Sequence, residues 1–283
     1  MLLKDFKNLV KLRLTFLVVF SASITFLIGS DGIGHINWMN WLKLIVGGFL
    51  VTSAANGFNE IIEKDLDKLM TRTADRPLPS GRMNNGQALV ISLIMGIFGT
   101  YLLGSLNLLT GILSVFSILF YAFIYTPLKR KSPIAVFVGA IPGALPPLIG
   151  YVAAHGIIDE FALILFGIQF MWQFPHFWAI AWVLDDDYKK AGFRLLPTTK
   201  RDKTSAIITF ATTILLIPVS LLPTIYGYGG YTIAIVSLVC GLIFAFQALT
   251  LVRKLDVKSA QSLMFGSFIY LPIVQLVLLF NLK

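Results

Sequence analysis

Two amides and two carboxylates recur at three- and four-residue spacing in NGFNEIIEKDLDKLMTRTADRPLPSGRM, residues 56–83. At about 100° per residue on a helix, Asn56, Asn59, Glu63 and Asp67 share an arc of roughly 80°, with Asp65 on the far side. Oxygen ligands one and two turns apart suit a hard divalent cation such as Mg²⁺, which keeps its waters and bridges to phosphate oxygens. Arg72 and Arg76 follow directly, in a segment that Pro77, Pro79 and Gly81 make a turn-rich loop. A second basic group, Lys129, Arg130 and Lys131, ends an apolar run at YTPLKRKSP. Arginine grips phosphate oxygens with a fork of hydrogen bonds and lysine with a point charge. The plainer reading is a helix end frayed into water, its carboxylates paired with Lys64 and Lys68, and Arg82 and Lys131 serving as anchors. Asn56 and Asn59 weigh against it, because they fall at membrane depth, where polar side chains are costly and usually functional. Carboxylates and cations beside an oily pocket point to a lipid diphosphate.

A second acidic-then-basic stretch is LDDDYKKAGFRLLP, residues 184–197. Three consecutive aspartates cannot share one helical face, so at most two aim at a common ion, with Asp186 and Asp187 the candidates. A second Mg²⁺ there would clamp a diphosphate from its other side, and a solvated loop is the alternative. Tyr188, next in line, is a candidate substrate contact. In IQFMWQFPHFWAIAW, residues 168–182, Pro175 frees a carbonyl one turn earlier and predicts a kink. His176 is the one histidine of three expected at membrane depth, where a lone histidine commonly serves as a hydrogen-bond partner between helices. The surrounding Phe170, Trp172, Phe174, Phe177, Trp178 and Trp182 offer π-faces for a cation or a flat ring, or simply pack.

The elements that carry these groups are membrane spans. The chain is 57% hydrophobic and 13% charged, with a mean hydropathy of +0.81, far from the balance of a soluble domain. Nine apolar runs, near 12–30, 40–62, 87–105, 107–125, 133–152, 159–184, 204–222, 229–251 and 264–281, are each long enough to cross a bilayer. The first leads into further spans and lacks a small-residue cleavage site, so no cleaved signal is expected. With a cytoplasmic N-terminus, 21 of the 23 Lys and Arg residues fall on the inner side, leaving Lys43 and Lys283. That split follows the positive-inside rule and places the C-terminus outside. It also accounts for the net charge of +9 without a nucleic acid partner. The outer connections carry little beyond Asp31, His35, His155, Asp159 and Glu160. The lone Cys240 excludes an intramolecular disulfide. The longest connections, near 63–86 and 185–203, leave no soluble domain over. The expectation is one all-α membrane domain over residues 1–283, its helices around a central cavity and its chemistry in the cytoplasmic loops.

The order of Asn59, Glu63 and Asp67 resembles the first aspartate-rich motif of the UbiA-type intramembrane prenyltransferases. Three stretches narrow the resemblance to the protohaem-farnesylating branch: EKDLDKLMTRTADRPLPSG at 63–81, YTPLKRKSPIAVFVGAIPGALPPLIGY at 125–151, and QFPHFWAIAW with DDDYKKAGFRLLP within 173–197. The resemblance implies nine helices, an inner bacterial membrane, Mg²⁺, and farnesyl diphosphate and haem b as substrates. It implies that Asn59, Glu63 and Asp67 hold the metal. Arg72, Arg76, Lys129 and Arg130 would grip the diphosphate, with Asp67, Lys129 and Arg130 catalytic. Asn56, His176 and Tyr188 would touch substrate, His176 as a candidate haem contact. A haem A synthase or a terminal oxidase assembly is an implied partner. The chain departs from the pattern at Glu63, one carbon longer than aspartate, at the DDDY run, and at Ala135, where many members carry asparagine. A prenyltransferase for an aromatic quinone precursor shares the first cluster, and a secondary transporter is the reading from another class, since broken helices with intramembrane polar groups also mark substrate paths.

Overall fold

In a computed structural model the chain is described at residues 3–30 and 33–282. Asp31 and Lys283, assigned above to the outer side, lie outside the described residues. The helices are α1 (Leu3–Leu9), α2 (Leu12–Gly29), α3 (Trp38–Asp67), α4 (Asn85–Gly104), α5 (Leu108–Leu128), α6 (Ala135–His155), α7 (Glu160–Val183), α8 (Asp185–Lys190), α9 (Lys203–Ile225), α10 (Tyr231–Lys254) and α11 (Val257–Phe280). Among the described residues no strand occurs, only an isolated bridge between Gly229 and Leu282. Among the described residues nine helices, α2–α7 and α9–α11, are long and apolar enough to cross a bilayer, as expected. The protein is an all-α integral membrane protein.

Six of these spans begin at a side-chain cap. Asn37, Asn84, Asn107, Asp159, Asp202 and Asp256 each accept the backbone N–H three residues on, and Asn84 completes a capping box with Gln87. The caps explain why several helices outrun the apolar runs. α11, for example, starts at Val257 behind Asp256, seven residues before the expected 264. The helix α7 runs unbroken through Pro175.

Neighbours in sequence pack in order, α2 on α3, α3 on α4, and so on to α7. The chain continues through α9, α10 and α11, and α11 returns to α2. Small residues set the spacing. A Cβ on Gly99 would lie 2.8 Å from the Val51 nitrogen, so α3 and α4 touch backbone to backbone there. The span α6 is the most enclosed, although it carries Pro142, Pro146 and Pro147. Pro147 cannot donate to the carbonyl of Gly143, and the amides of Gln169 and Gln173 donate to that oxygen instead, at 2.8 and 2.9 Å. Gln169 also accepts from Ser21 (2.9 Å) and from Gln275 (3.1 Å), which fastens the first span to the last. Exposed Phe16, Ile97, Phe98 and Phe246 point outward, as a lipid-facing surface requires.

Candidate metal–diphosphate site

At its last three turns α3 turns a polar row inward. Asn59, Glu60, Glu63 and Asp67 are all buried, while Asp65 is exposed and pairs with Lys68 at 3.3 Å. The arc read from helical periodicity is therefore real, and Glu60 belongs to it. At about 40° from Asn56 by the same count, Glu60 was legible in the pattern and was missed.

The loop after α3 folds back over this row. Thr73 Oγ1 donates to the Asp67 carbonyl (2.9 Å), which turns the chain. Arg76 then reaches Asp67 Oδ2 at 2.7 Å and lies 3.6 Å from Glu60 Oε1. From α5, Lys129 meets Glu63 Oε1 at 2.5 Å. From the break between α1 and α2, Lys11 donates to Asn59 Oδ1 at 2.6 Å. Lys11 has a left-handed backbone (φ 47°), which swings its side chain inward. No periodicity rule reveals that, and in the sequence Lys11 is one of the 21 inner-side cations.

A cavity of about 200 Å³ opens over the row. Asn59, Glu63, Asp67, Arg72, Arg76, Lys129 and Tyr188 line it, so seven of the expected residues converge. Its apolar wall comes from Tyr121 and Tyr125 on α5, Phe177 and Ile180 on α7, and Phe193 and Leu195 after α8. Lys129 Nζ stands 5.0 Å from the Tyr125 ring centroid and 5.3 Å from that of Phe193.

The span α5 does not keep α-helical pitch here. Residues Phe120–Tyr125 form a π turn, in which the Thr126 N–H bonds the Tyr121 carbonyl. Pro127 has no N–H for the Phe123 carbonyl, and a wider turn before it relieves that conflict. The widened turn brings Tyr121, Tyr125 and Lys129 to the cavity together.

The remaining expected residues lie elsewhere. Asn56 sits one turn too deep, and its amide donates to the Val10 carbonyl (3.3 Å) and to Thr15 Oγ1 (3.2 Å), joining α3 to the α1–α2 break. Arg130 is exposed beside Gly192. The aspartate run fans around α8, as three consecutive residues must. Asp185 pairs with Lys189 (2.6 Å), and Asp186 with Arg201 (2.9 Å). Asp187 accepts the backbone N–H groups of Thr71 (2.8 Å) and Arg72 (3.1 Å) and pairs with Lys190 (3.0 Å). These carboxylates clasp loops and do not line the cavity. His176 faces α11 with Nδ1 2.8 Å from Ser267 Oγ, and its ring stacks on Trp172 at 4.3 Å. That is the interhelical histidine, away from the cavity.

Charge sets the resting state of the loops. Burial lowers the Lys11 ammonium to about 7, aided by Arg76 and opposed by Glu60. Burial works against the Arg76 guanidinium as well, but Asp67 and then Glu60 outweigh it and hold the cation firmly. For Asp187, partial burial is overcome by the Arg72 N–H, Lys190 and the Thr71 N–H, and its carboxyl falls to about 2. Burial raises the Tyr188 phenol, so it stays protonated as a donor.

The donor set fits a hard divalent ion. Asp67 Oδ1 is buried without a hydrogen-bond partner, and two lysine ammonium groups already sit on Asn59 Oδ1 and Glu63 Oε1, where a cation would bind. Among the described residues no group of three His, Cys, Asp or Glu side chains gathers, so an ion here takes amide oxygen, water or phosphate as well.

A lipid-embedded row of hard oxygen donors facing arginine and lysine is the arrangement expected of a prenyl diphosphate site, and residues 17–271 match the UbiA prenyltransferase family. The chain belongs to that family. It is 49% identical over 271 residues to the protoheme IX farnesyltransferase of Cytophaga hutchinsonii, covering 95% of this chain and 94% of that one. It is 43% identical to the enzyme of the same name from Christiangramia forsetii, over 98% and 92% of the two chains. Among solved structures, one concerning digeranylgeranylglyceryl phosphate synthase in membranes superposes with a TM-score of 0.82 at 23% identity, covering 99% of this chain and 98% of that one. A UbiA homologue from Archaeoglobus fulgidus bound to GPP and Mg²⁺ superposes with a TM-score of 0.72 at 12% identity, over 97% and 99% of the chains. The likeness to these structures is one of fold, and among the described residues the end of α3 gathers the buried Asn59, Glu60, Glu63 and Asp67.

Proposed function

We propose that the protein transfers the farnesyl group of farnesyl diphosphate to a vinyl group of haem b, giving haem O and diphosphate. One observation carries the reaction class: the buried Asn59–Glu63–Asp67 row pairs directly with Arg76 and Lys129 and lines, with them and Arg72, one cavity that has an aromatic wall. The acceptor is carried by the name protoheme IX farnesyltransferase, borne by relatives that match over nine-tenths of both chains.

In this reading Asn59, Glu63 and Asp67 would hold Mg²⁺, which when bound would offset charge on the departing diphosphate. Arg72, Arg76 and Lys129 bind the diphosphate oxygens, and Lys11 stands close enough to join them. As the C1–O bond breaks, its electron pair leaves with the diphosphate, and these cations stabilise the charge that develops there. Tyr121, Tyr125, Phe177 and Phe193 turn π-faces to the allylic cation and keep water from it. The vinyl π-electrons then form the new C–C bond to farnesyl C1. Water adds to the cation left beside the porphyrin and loses a proton, which yields a hydroxyethylfarnesyl group. No protein nucleophile is required. The basic face is cytoplasmic by the positive-inside rule, with the N-terminus inside, in the cytoplasmic membrane. His176 secures α7 to α11 and is not assigned to haem iron.

The test is to incubate purified, detergent-solubilised protein with haem b, farnesyl diphosphate and Mg²⁺ and weigh the extracted haems. A haem heavier by one farnesyl group plus one hydroxyl and its accompanying hydrogen, absent with EDTA, is the expected product. Unmodified haem with a prenylated aromatic acid in a parallel tube would move the acceptor. No transfer to either, from folded protein, would overturn the reading.

A further inference from the structure

We propose that Thr126 is a positioning residue that fixes the direction of the Asn59 amide, and that the π turn of α5 exists to place it. The proposal rests on the reading of Asn59 as a metal ligand.

An asparagine amide presents an acceptor on one side and two donors on the other, and only its partners decide which faces the ion. Three partners decide it here. As an ammonium, Lys11 Nζ can only donate, so the atom 2.6 Å away is Asn59 Oδ1. The Glu63 carboxylate can only accept, so the atom 2.9 Å from Oε2 is Asn59 Nδ2. The third is Thr126 Oγ1, 3.0 Å from the same nitrogen. A hydroxyl has one proton, and Thr126 gives its proton to the Tyr121 carbonyl at 2.9 Å. Toward Asn59 it can therefore only accept.

The Tyr121 carbonyl is the same one that takes the Thr126 N–H across the π turn. In a regular α-helix the residue bonding that carbonyl would be Tyr125, and Thr126 would be turned away from it. The wider turn thus sets both bonds of the hydroxyl and aims its remaining lone pair at α3. Thr126 and Asn59 are each almost wholly buried, at 2% and 1% exposure, so no water substitutes for the missing partner. With Thr126 in place, both amide protons are committed to the protein, and Oδ1 is turned to Lys11 at the cavity lining.

Metal binding without turnover tests this. Mn²⁺ replaces Mg²⁺ and is titrated by electron paramagnetic resonance in the presence of farnesyl thiolodiphosphate, an unreactive substrate analogue. Thr126→Val, which keeps the shape and removes the hydroxyl, is expected to weaken Mn²⁺ binding about 10–100-fold, as loss of a partner behind a metal ligand does. Thr126→Ser is expected to restore binding, and the unfolding temperature of both is expected to stay near that of the parent. Parental Mn²⁺ affinity in Thr126→Val, or equal weakening in Thr126→Ser, would overturn the proposal. If neither Thr126→Val nor Thr126→Ala folds, the hydroxyl serves the fold of α5 and the proposal fails. If the parent protein itself binds no Mn²⁺ with the analogue, the fault lies in the metal reading of Asn59, Glu63 and Asp67.

Discussion

The two oxygens of Asp67 differ in their surroundings. One oxygen takes Arg76, and the other is buried and open. Asp67→Asn would keep the shape and lose the charge, and Lys129→Ala would remove the cation between Glu63 and the aromatic wall. Each variant is expected to fold and to lose about 10²–10³ in kcat, roughly 2.7–4 kcal/mol of barrier, as measured by product formation at saturating substrates. Near-parental turnover would remove that residue from the mechanism. Glu60 presents a different case. It is fully buried, its nearest cation is the Arg76 guanidinium at 3.6 Å, and its Oε2 has no hydrogen-bond partner. Glu60→Gln leaves Arg76 with Asp67 alone and is expected to raise KM for the diphosphate substrate more than it lowers kcat. An unchanged KM would show that Asp67 holds Arg76 unaided.

Elements, rather than single residues, decide which of these side chains meet. The row on α3 was legible because a long helix repeats every 3.6 residues, and Asn59, Glu63 and Asp67 follow that repeat through to the last turn. The DDDY run was not legible in the same way. Consecutive residues on the short α8 diverge by about 100°, and lysine, arginine and backbone N–H groups take up the aspartates before any shared ion can claim them. The π turn of α5 breaks the period on which the reading depends, so the inward turn of Tyr121 and Tyr125 went unseen. Gly139 on α6 is its packing partner. A Cβ there would lie 2.6 Å from the Tyr125 ring, and Gly139→Ala is expected to cost about 1–3 kcal/mol and to reduce turnover by displacing that ring. Unfolding and activity assays on one preparation check both. Parental values would show that the ring yields freely.

The loop clasp at Asp187 has a defined pH dependence. Its carboxyl is depressed to about 2 from an ordinary 3.8, so its stabilisation is complete above the unfolded value and is lost as pH falls through about 2. At neutral pH, Asp187→Asn is expected to speed hydrogen exchange at the Thr71 and Arg72 amides about tenfold, as loss of a charge-assisted bond does. In the parent, protection should persist to about pH 4. Unaltered exchange in Asp187→Asn would mean that another group holds the loop.

For the whole molecule, hydropathy and the placement of lysine and arginine gave the span count, because bilayer thickness constrains any sequence that crosses it. What they could not reveal is how the ring closes. Ser21, Gln169 and Gln275 are ordinary polar residues far apart in sequence, and only the fold brings them within 3.1 Å of one another. His176 shows the converse, a conspicuous residue whose partner, Ser267, lies on a distant helix and makes it structural. In the proposed reaction the helices present one polar end, at α3, to metal and diphosphate. Crystals grown with Mn²⁺ and farnesyl thiolodiphosphate test that most directly through anomalous scattering. The expected result is a manganese peak within coordination distance of Asn59, Glu63 and Asp67, with the diphosphate against Arg76 and Lys129. A peak among Asp185, Asp186 and Asp187 instead, with the α3 row empty, would contradict it.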